Sequence, residues 1–317
     1  MSGIAILLGR RIAAAALTLL LVSMVVFAIS SILPGDAASE ALGQSATPQT
    51  IAALRLQLGL DQPAWLRYLH WLFGLLTGDP GRSMVNDLPV KAIIAARLPK
   101  SLLLAGLTAA VSIPLALCIG IVSAVYRGSL LDRALNVVTL SMVAAPEFLV
   151  ATLAVLVFSV KLRWLPSLTL MSDQPSLPEF LRAYAMPVMT LCFVVVAQMA
   201  RMTRAAVIDQ LSQPYVEMAI LKGARPARVA LSHALPNAIG PMVNAVALSL
   251  SYLLGGVIIV ETIFDYPGIA SLMVDAVTSR DMPLLQACAM LFCAAYLGLV
   301  LVADSCAILA NPRLRHP

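Results

Sequence analysis

Six stretches of the chain run for 18 to 32 residues with no more than one formal charge apiece: 12–35, 101–126, 134–160, 183–200, 229–260 and 282–303. A bilayer core of roughly 30 Å takes about 20 apolar residues as helix, so each can span it. The third carries Glu147 in its interior and the fifth carries His233. The first exceeds the roughly 7–15 apolar residues of a signal peptide, so it reads as a retained helix. The Arg10-Arg11 pair before it reads as a cytoplasmic anchor rather than a twin-arginine signal.

The polar stretches between spans predict further elements. In the outer stretch after the first span, Thr47 and Pro48 start a short helix that Gly59 ends. Asp61 and Pro63 start another, with Trp65, Leu69, Leu72 and Leu76 along one side, broken by Gly78 and Pro80. A third segment, Pro89–Leu98, leads to Pro99 and the second span. Residues 161–182 read as an irregular outer loop with Pro166, Pro175 and Pro178, and Pro114 and Pro146 are candidate helix breaks. The resulting organisation is a first transmembrane helix (1–33), an extracytoplasmic helical segment (34–99), a five-span core (100–310) holding a cytoplasmic loop (204–237), and a tail (311–317).

Composition agrees with the pattern: 60% of the 317 residues are hydrophobic, 12% are charged and mean hydropathy is +0.91. The net charge of +5 is a topology signal. With the N-terminus inside, eleven bases (Arg10, Arg11, Arg127, Arg133, Arg201, Arg204, Lys222, Arg225, Arg228, Arg313, Arg315) face the cytoplasm. The short outer loops hold four, which fixes both termini inside. No aromatics interleave these bases as a nucleic-acid surface would require. Cys118, Cys192, Cys288 and Cys293 lie within spans and Cys306 directly follows the last, so all five read as core residues.

The inner loop is the most informative stretch and reads as two short helices. Pro214 suits a first turn, Glu217 the positive end of the helix dipole, Lys222 the negative end, and Gly223 a C-terminal stop. Tyr215, Met218 and Ala219 share one face, while Val216, Ile220 and Leu221 make the other apolar, so the helix should be covered on both sides. A short apolar helix outside the membrane points to a partner with a groove.

From Glu217 to Pro236 the loop resembles the "EAA" coupling loop of ABC importer permeases, E-A-A-x3-G-x9-I-x-L-P. Glu217, Ala219, Gly223, Leu235 and Pro236 match, while Met218 replaces the first Ala and His233 the Ile. End to end the chain resembles the dipeptide/oligopeptide/nickel permease family. The stretches that carry this are Leu33-Pro34-Gly35-Asp36, Ala46-Thr47-Pro48, Leu58-Gly59-Leu60-Asp61-Gln62-Pro63, Gly78-Asp79-Pro80-Gly81-Arg82-Ser83, Glu261-Thr262-Ile263-Phe264-Asp265-Tyr266-Pro267-Gly268 and Asn311-Pro312-Arg313. The resemblance implies an all-α, six-span, type I ABC importer permease fold. It also implies a homologous second permease, two ATPase subunits that bind ATP and Mg, and an extracytoplasmic solute-binding protein, for which Asp61 and Asp265 are docking candidates. The loop residues Tyr215, Glu217, Met218, Ala219, Gly223, Leu235 and Pro236 would couple to the ATPases.

No G-x-x-x-x-G-K-[ST] phosphate loop occurs, so any ATP is hydrolysed by another chain. A secondary transporter would normally show internal repeats, and none is visible. An intramembrane enzyme would need a motif such as HExxH or G-x-S-x-G, and neither is present. The three scattered histidines, His70, His233 and His316, make no metal site. Glu147 is the residue to watch: a carboxylate there costs about 2.5–3.5 kcal/mol on insertion scales unless it faces a partner or water. It is the candidate for the solute pathway.

Overall fold

The computed structural model describes residues 2–32, 47, 49, 62–169, 176–223 and 226–310. Among them every regular element is a helix, apart from an isolated bridge between Arg82 and Pro89. Hydrocarbon offers backbone groups no water, and helices satisfy them internally. In chain order the helices are α1 (Ser2–Ile32), α2 (Ala64–Thr77), α3 (Val90–Val125), α4 (Leu130–Ala144), α5 (Glu147–Ala154), α6 (Leu177–Leu211) and α7 (Pro214–Leu221). They continue as α8 (Pro226–Val229), α9 (Leu235–Ile263), α10 (Ile269–Thr278) and α11 (Met282–Ala310). The helix predicted between Pro48 and Gly59 lies outside the described residues.

Among the described residues five helical runs are long and apolar enough to cross a bilayer: Ile6–Ser30, Val90–Val125, Leu177–Leu211, Ser232–Ile263 and Met282–Ile308. The sixth expected span is broken, with α4 and the run Glu147–Lys161 meeting at 96°. The cause is local. Ala145 precedes Pro146, a position that disfavours the helical region, and both residues are extended (ψ 126° and 134°). Pro114, the other candidate break, stays inside a continuous α3, as Pro187 and Pro241 stay inside α6 and α9.

Other boundaries also move. The segment predicted at 89–98 is no separate element, because α3 runs unbroken through Pro99. Pro178 belongs to the first turn of α6, capped by the Ser176 hydroxyl, and not to the outer loop.

The chain divides into two compact units. The first comprises Met1–Ile12, Leu102–Tyr266 and Tyr296–Pro317, and is built around α6 packed on α9, with α4 and α5 against α6. Small residues bring its helices close: a Cβ at Gly120 of α3 would sit 2.6 Å from the Ala200 carbonyl oxygen and 2.7 Å from Thr203 Cβ on α6. Ala124, Ala206, Val207, Ala238 and Met242 form the core beside that approach.

The second unit comprises Ala13–Ser101 and Pro267–Ala295. Val90, Ile269, Leu272, Ala276, Leu284, Ala287 and Cys288 make its core. Here α2 turns Tyr68 and Trp71 onto Phe27 of α1, with ring centroids 5.5 and 5.8 Å away, and the Tyr68 hydroxyl lies 2.8 Å from Ser23. Trp65, Leu69, Phe73 and Leu76 are left exposed. The packed side of α2 is therefore not the stripe that apolar spacing alone picks out.

Candidate functional site

The inner loop hangs from the end of α6. Ser212 and Gln213 leave the helix, Gln213 is extended, and Pro214 opens α7, where its missing N–H costs nothing. Lys222 caps α7, and Gly223 follows at φ +80° with its N–H on the Ile220 carbonyl at 2.9 Å. A left-handed residue there is what glycine supplies without strain.

Burial divides α7 differently from the two faces proposed on sequence. Val216, 1% exposed, packs with Val229 and Ala234, and Leu211 and Ala219 close around them. Tyr215, Met218, Ile220 and Leu221 lie outside this cluster and are exposed, Leu221 to 74%. Glu217 and Gly223 are exposed too. The chain itself covers one side of α7 and leaves the other open.

The second short helix of the loop does not stand alone. After α8 the chain passes through a π-helical turn, Ala230–Ala234, straight into α9. Pro236 lies in the first turn of α9 and cannot donate to the preceding turn, so a wider turn accommodates it. The side-chain amide of Asn237 donates to the His233 carbonyl at 2.8 Å. Leu235 is half-buried in the core beside α6, and Pro236 and His233 are exposed.

Directly above the loop sits a polar cluster that charge counting missed. Arg204 of α6 donates from Nε to Asp132 Oδ1 at 2.9 Å and from Nη2 to Oδ2 at 3.0 Å. Asp132, in the first turn of α4, also accepts from the Gly128 N–H at 2.9 Å, Asn136 Nδ2 at 2.6 Å and the Ser123 hydroxyl of α3 at 2.5 Å. Its side chain is only 5% exposed. One carboxylate thereby joins three helices. A signal was present: Asp132 is the one acid between Asp87 and Glu147, placed among cytoplasmic bases.

Glu147 opens α5 just past the 96° turn, so the chain does not carry it farther along the axis of α4. Its carboxylate is half-buried against α9: a Cβ on Gly256 would lie 3.0 and 3.2 Å from its two oxygens and 3.3 Å from Leu191 Cδ2 of α6. Glycine is what permits that approach. Among the described residues no donor or base pairs with the carboxylate.

At the far end of α9, Asp265 is exposed at φ +47°, held between Phe264 and Tyr266, which are 1% and 2% exposed. The Tyr266 hydroxyl meets that of Tyr184 at 3.0 Å, and burial pushes its phenol well above the ordinary range, so it stays neutral. Asp61, the other docking candidate, lies outside the described residues. In the second unit, Ser83 of the Gly78–Ser83 stretch donates to Asp281, whose Oδ1 also accepts from the Met84 N–H at 3.2 Å. Asp281 is 1% exposed, so part of that motif serves to satisfy a buried acid.

Residues 116–316 match the family model described as the binding-protein-dependent transport system inner membrane component, and residues 4–105 match the N-terminal region of such membrane components. The glutathione transport system permease protein GsiC of Escherichia coli (strain K12) is 38% identical over 299 residues, covering 94% of this chain and 95% of that protein. A putative peptide transport system permease protein of Brucella abortus is 34% identical over 310 residues, 98% of this chain and 99% of the relative. A probable peptide ABC transporter permease protein of Sinorhizobium fredii is 32% identical over 307 residues, 97% and 98%. With its apolar helices, this chain belongs to that family: it is a multi-pass bacterial inner-membrane permease subunit of a binding-protein-dependent ABC importer, not an enzyme, and it works with an ATPase and a solute-binding protein.

Proposed function

We propose that this subunit forms half of the translocation path for peptides or a closely related small solute, beside a homologous second permease. Two ATPase subunits, which bind ATP and Mg, would drive it through α7. The observation that carries the reading is the division of α7: Val216 and Ala219 anchor it to the chain, while Tyr215, Met218, Ile220 and Leu221 stay exposed. An apolar helix face of this size in water calls for a groove on a partner. Gly223, Leu235 and Pro236 fix the angle at which that face is presented.

In this reading a groove in the ATPase receives Met218 and Leu221, and its closure moves α6 and α9, the two helices that the loop connects. Glu147 lies between those helices on the solute path, and Asp265, with Asp61, meets the binding protein. The relatives' names point to peptides and glutathione as the solute class. The test is the assembled complex in proteoliposomes with Met218→Asp and Leu221→Asp. Solute-stimulated ATP hydrolysis and peptide uptake should both fall at least tenfold, about the effect of 1.4 kcal/mol. Unchanged stimulation would overturn the docking role, and uptake of no peptide of two to five residues by the wild type would overturn the solute class.

A further inference from the structure

Between α4, α6 and α9 an open cleft of about 710 Å³ is lined by Asn136, Gln198, Arg201, Arg204 and Tyr252, among others. Its two arginines are not equivalent. Arg204 is neutralised by Asp132. Arg201 is exposed, and no acid or other polar group pairs with it among the described residues. It stands at the inner end of the charge-free stretch 183–200, where a lone guanidinium needs water or an anion. Gln198, three residues earlier, shares its side of α6 and adds an amide donor.

A Cβ on Gly256 would meet both the Glu147 carboxylate, at 3.0 Å, and Leu191 Cδ2 of α6, at 3.3 Å, which puts Glu147 level with Leu191, ten residues before Arg201, or about 15 Å at 1.5 Å per residue. An extended peptide of four residues reaches at most about 14 Å, and the arginine side chain covers the difference. A peptide whose ammonium lies near Glu147 therefore brings its terminal carboxylate within reach of Arg201.

We infer that Arg201, assisted by Gln198, is an anion subsite on the inner part of the solute path, receiving the carboxylate of the transported solute. The fork of a guanidinium suits a carboxylate, and water in the cleft keeps the contact weak enough to release. This rests on the peptide reading for the identity of the solute, but not for the existence of the subsite. A lipid phosphate offers similar chemistry, so the experiment must separate the two sources.

In the assembled complex, Gln198→Cys is labelled from the cytoplasmic side with an anionic and a cationic thiol reagent, with Arg201 intact or changed to Gln. The anionic reagent should react roughly tenfold faster than the cationic one, and the preference should vanish in Arg201→Gln. It should be the same in vesicles of neutral and of anionic lipid. Equal labelling by both reagents overturns the subsite, and a preference that disappears in anionic vesicles assigns Arg201 to headgroups instead. Uptake of a tripeptide and its C-terminal amide then names the carrier of the charge. Arg201→Gln should cut uptake of the free acid about tenfold and spare the amide, with Arg201→Lys, which keeps the charge but not the fork, falling between Gln and the wild type. Equal loss of both peptides overturns the carboxylate contact, whereas a wild type that carries neither overturns the peptide reading and leaves the subsite to stand on the labelling.

Discussion

Arg204 grips both oxygens of Asp132, at 2.9 and 3.0 Å, and so ties α4 to α6 directly above the loop that carries α7. The pair is mostly out of water, and removing one partner leaves an uncompensated charge. Asp132→Ala should therefore lower stability by about 3–5 kcal/mol, read as a fall in the thermal unfolding midpoint of the purified complex. The double variant Asp132→Asn, Arg204→Gln should recover part of that loss. A double variant as unstable as the sum of the singles would mean that the two residues act independently.

At Gly223 the φ of +80° ranks the substitutions in advance. Asn tolerates the left-handed region best, Ala pays roughly 1–2 kcal/mol, and a β-branched Val pays more. Solute-stimulated ATP hydrolysis should fall in the order Gly, Asn, Ala, Val. A Val variant with full stimulation and transport would show that the bend after α7 transmits nothing.

The contact between Glu147 and Gly256 offers a cycle. Gly256→Ala puts a methyl group 3.0–3.2 Å from the carboxylate and must displace it, so uptake should drop as it does in Glu147→Gln. Combining the two should cost little more than either alone. Additive losses would separate the glycine from the carboxylate. A lowered melting temperature with unchanged uptake of charged and neutral solutes in Glu147→Gln would remove Glu147 from the path.

In the second unit, Asp281 is nearly inaccessible and depends on Ser83 and the Met84 N–H. Ser83→Ala should cost about 1–3 kcal/mol, because the acid keeps its burial and loses a donor. Equal melting of the variant and the wild type would contradict the pairing.

Much of this arrangement was legible in the sequence, because bilayer physics simplifies the problem. Charge-free runs marked the spans, Gly78 and Gly223 marked helix ends, and both have the left-handed backbone that the stop requires. Pro146 broke its helix while Pro114 did not: the residue before a proline is disfavoured in the helical region, yet only Ala145 leaves it, a difference that proline alone does not encode. The face of α7 was misdrawn because an all-apolar helix has no polar side to orient it, and only Val229 and Ala234, from another element, select Val216. Arg204 was counted as a cytoplasmic base, yet its partner lies 72 residues away, and distance along the chain carries no such information.

The most direct measurement is photocrosslinking from α7 in the assembled transporter, with a photoreactive side chain at Leu221 and, separately, at Val216. Leu221 should capture the ATPase in high yield, and Val216, sealed against Val229 and Ala234, should give only products within its own chain. Capture of lipid or the second permease alone from Leu221, with no ATPase adduct, would contradict the coupling role of this helix.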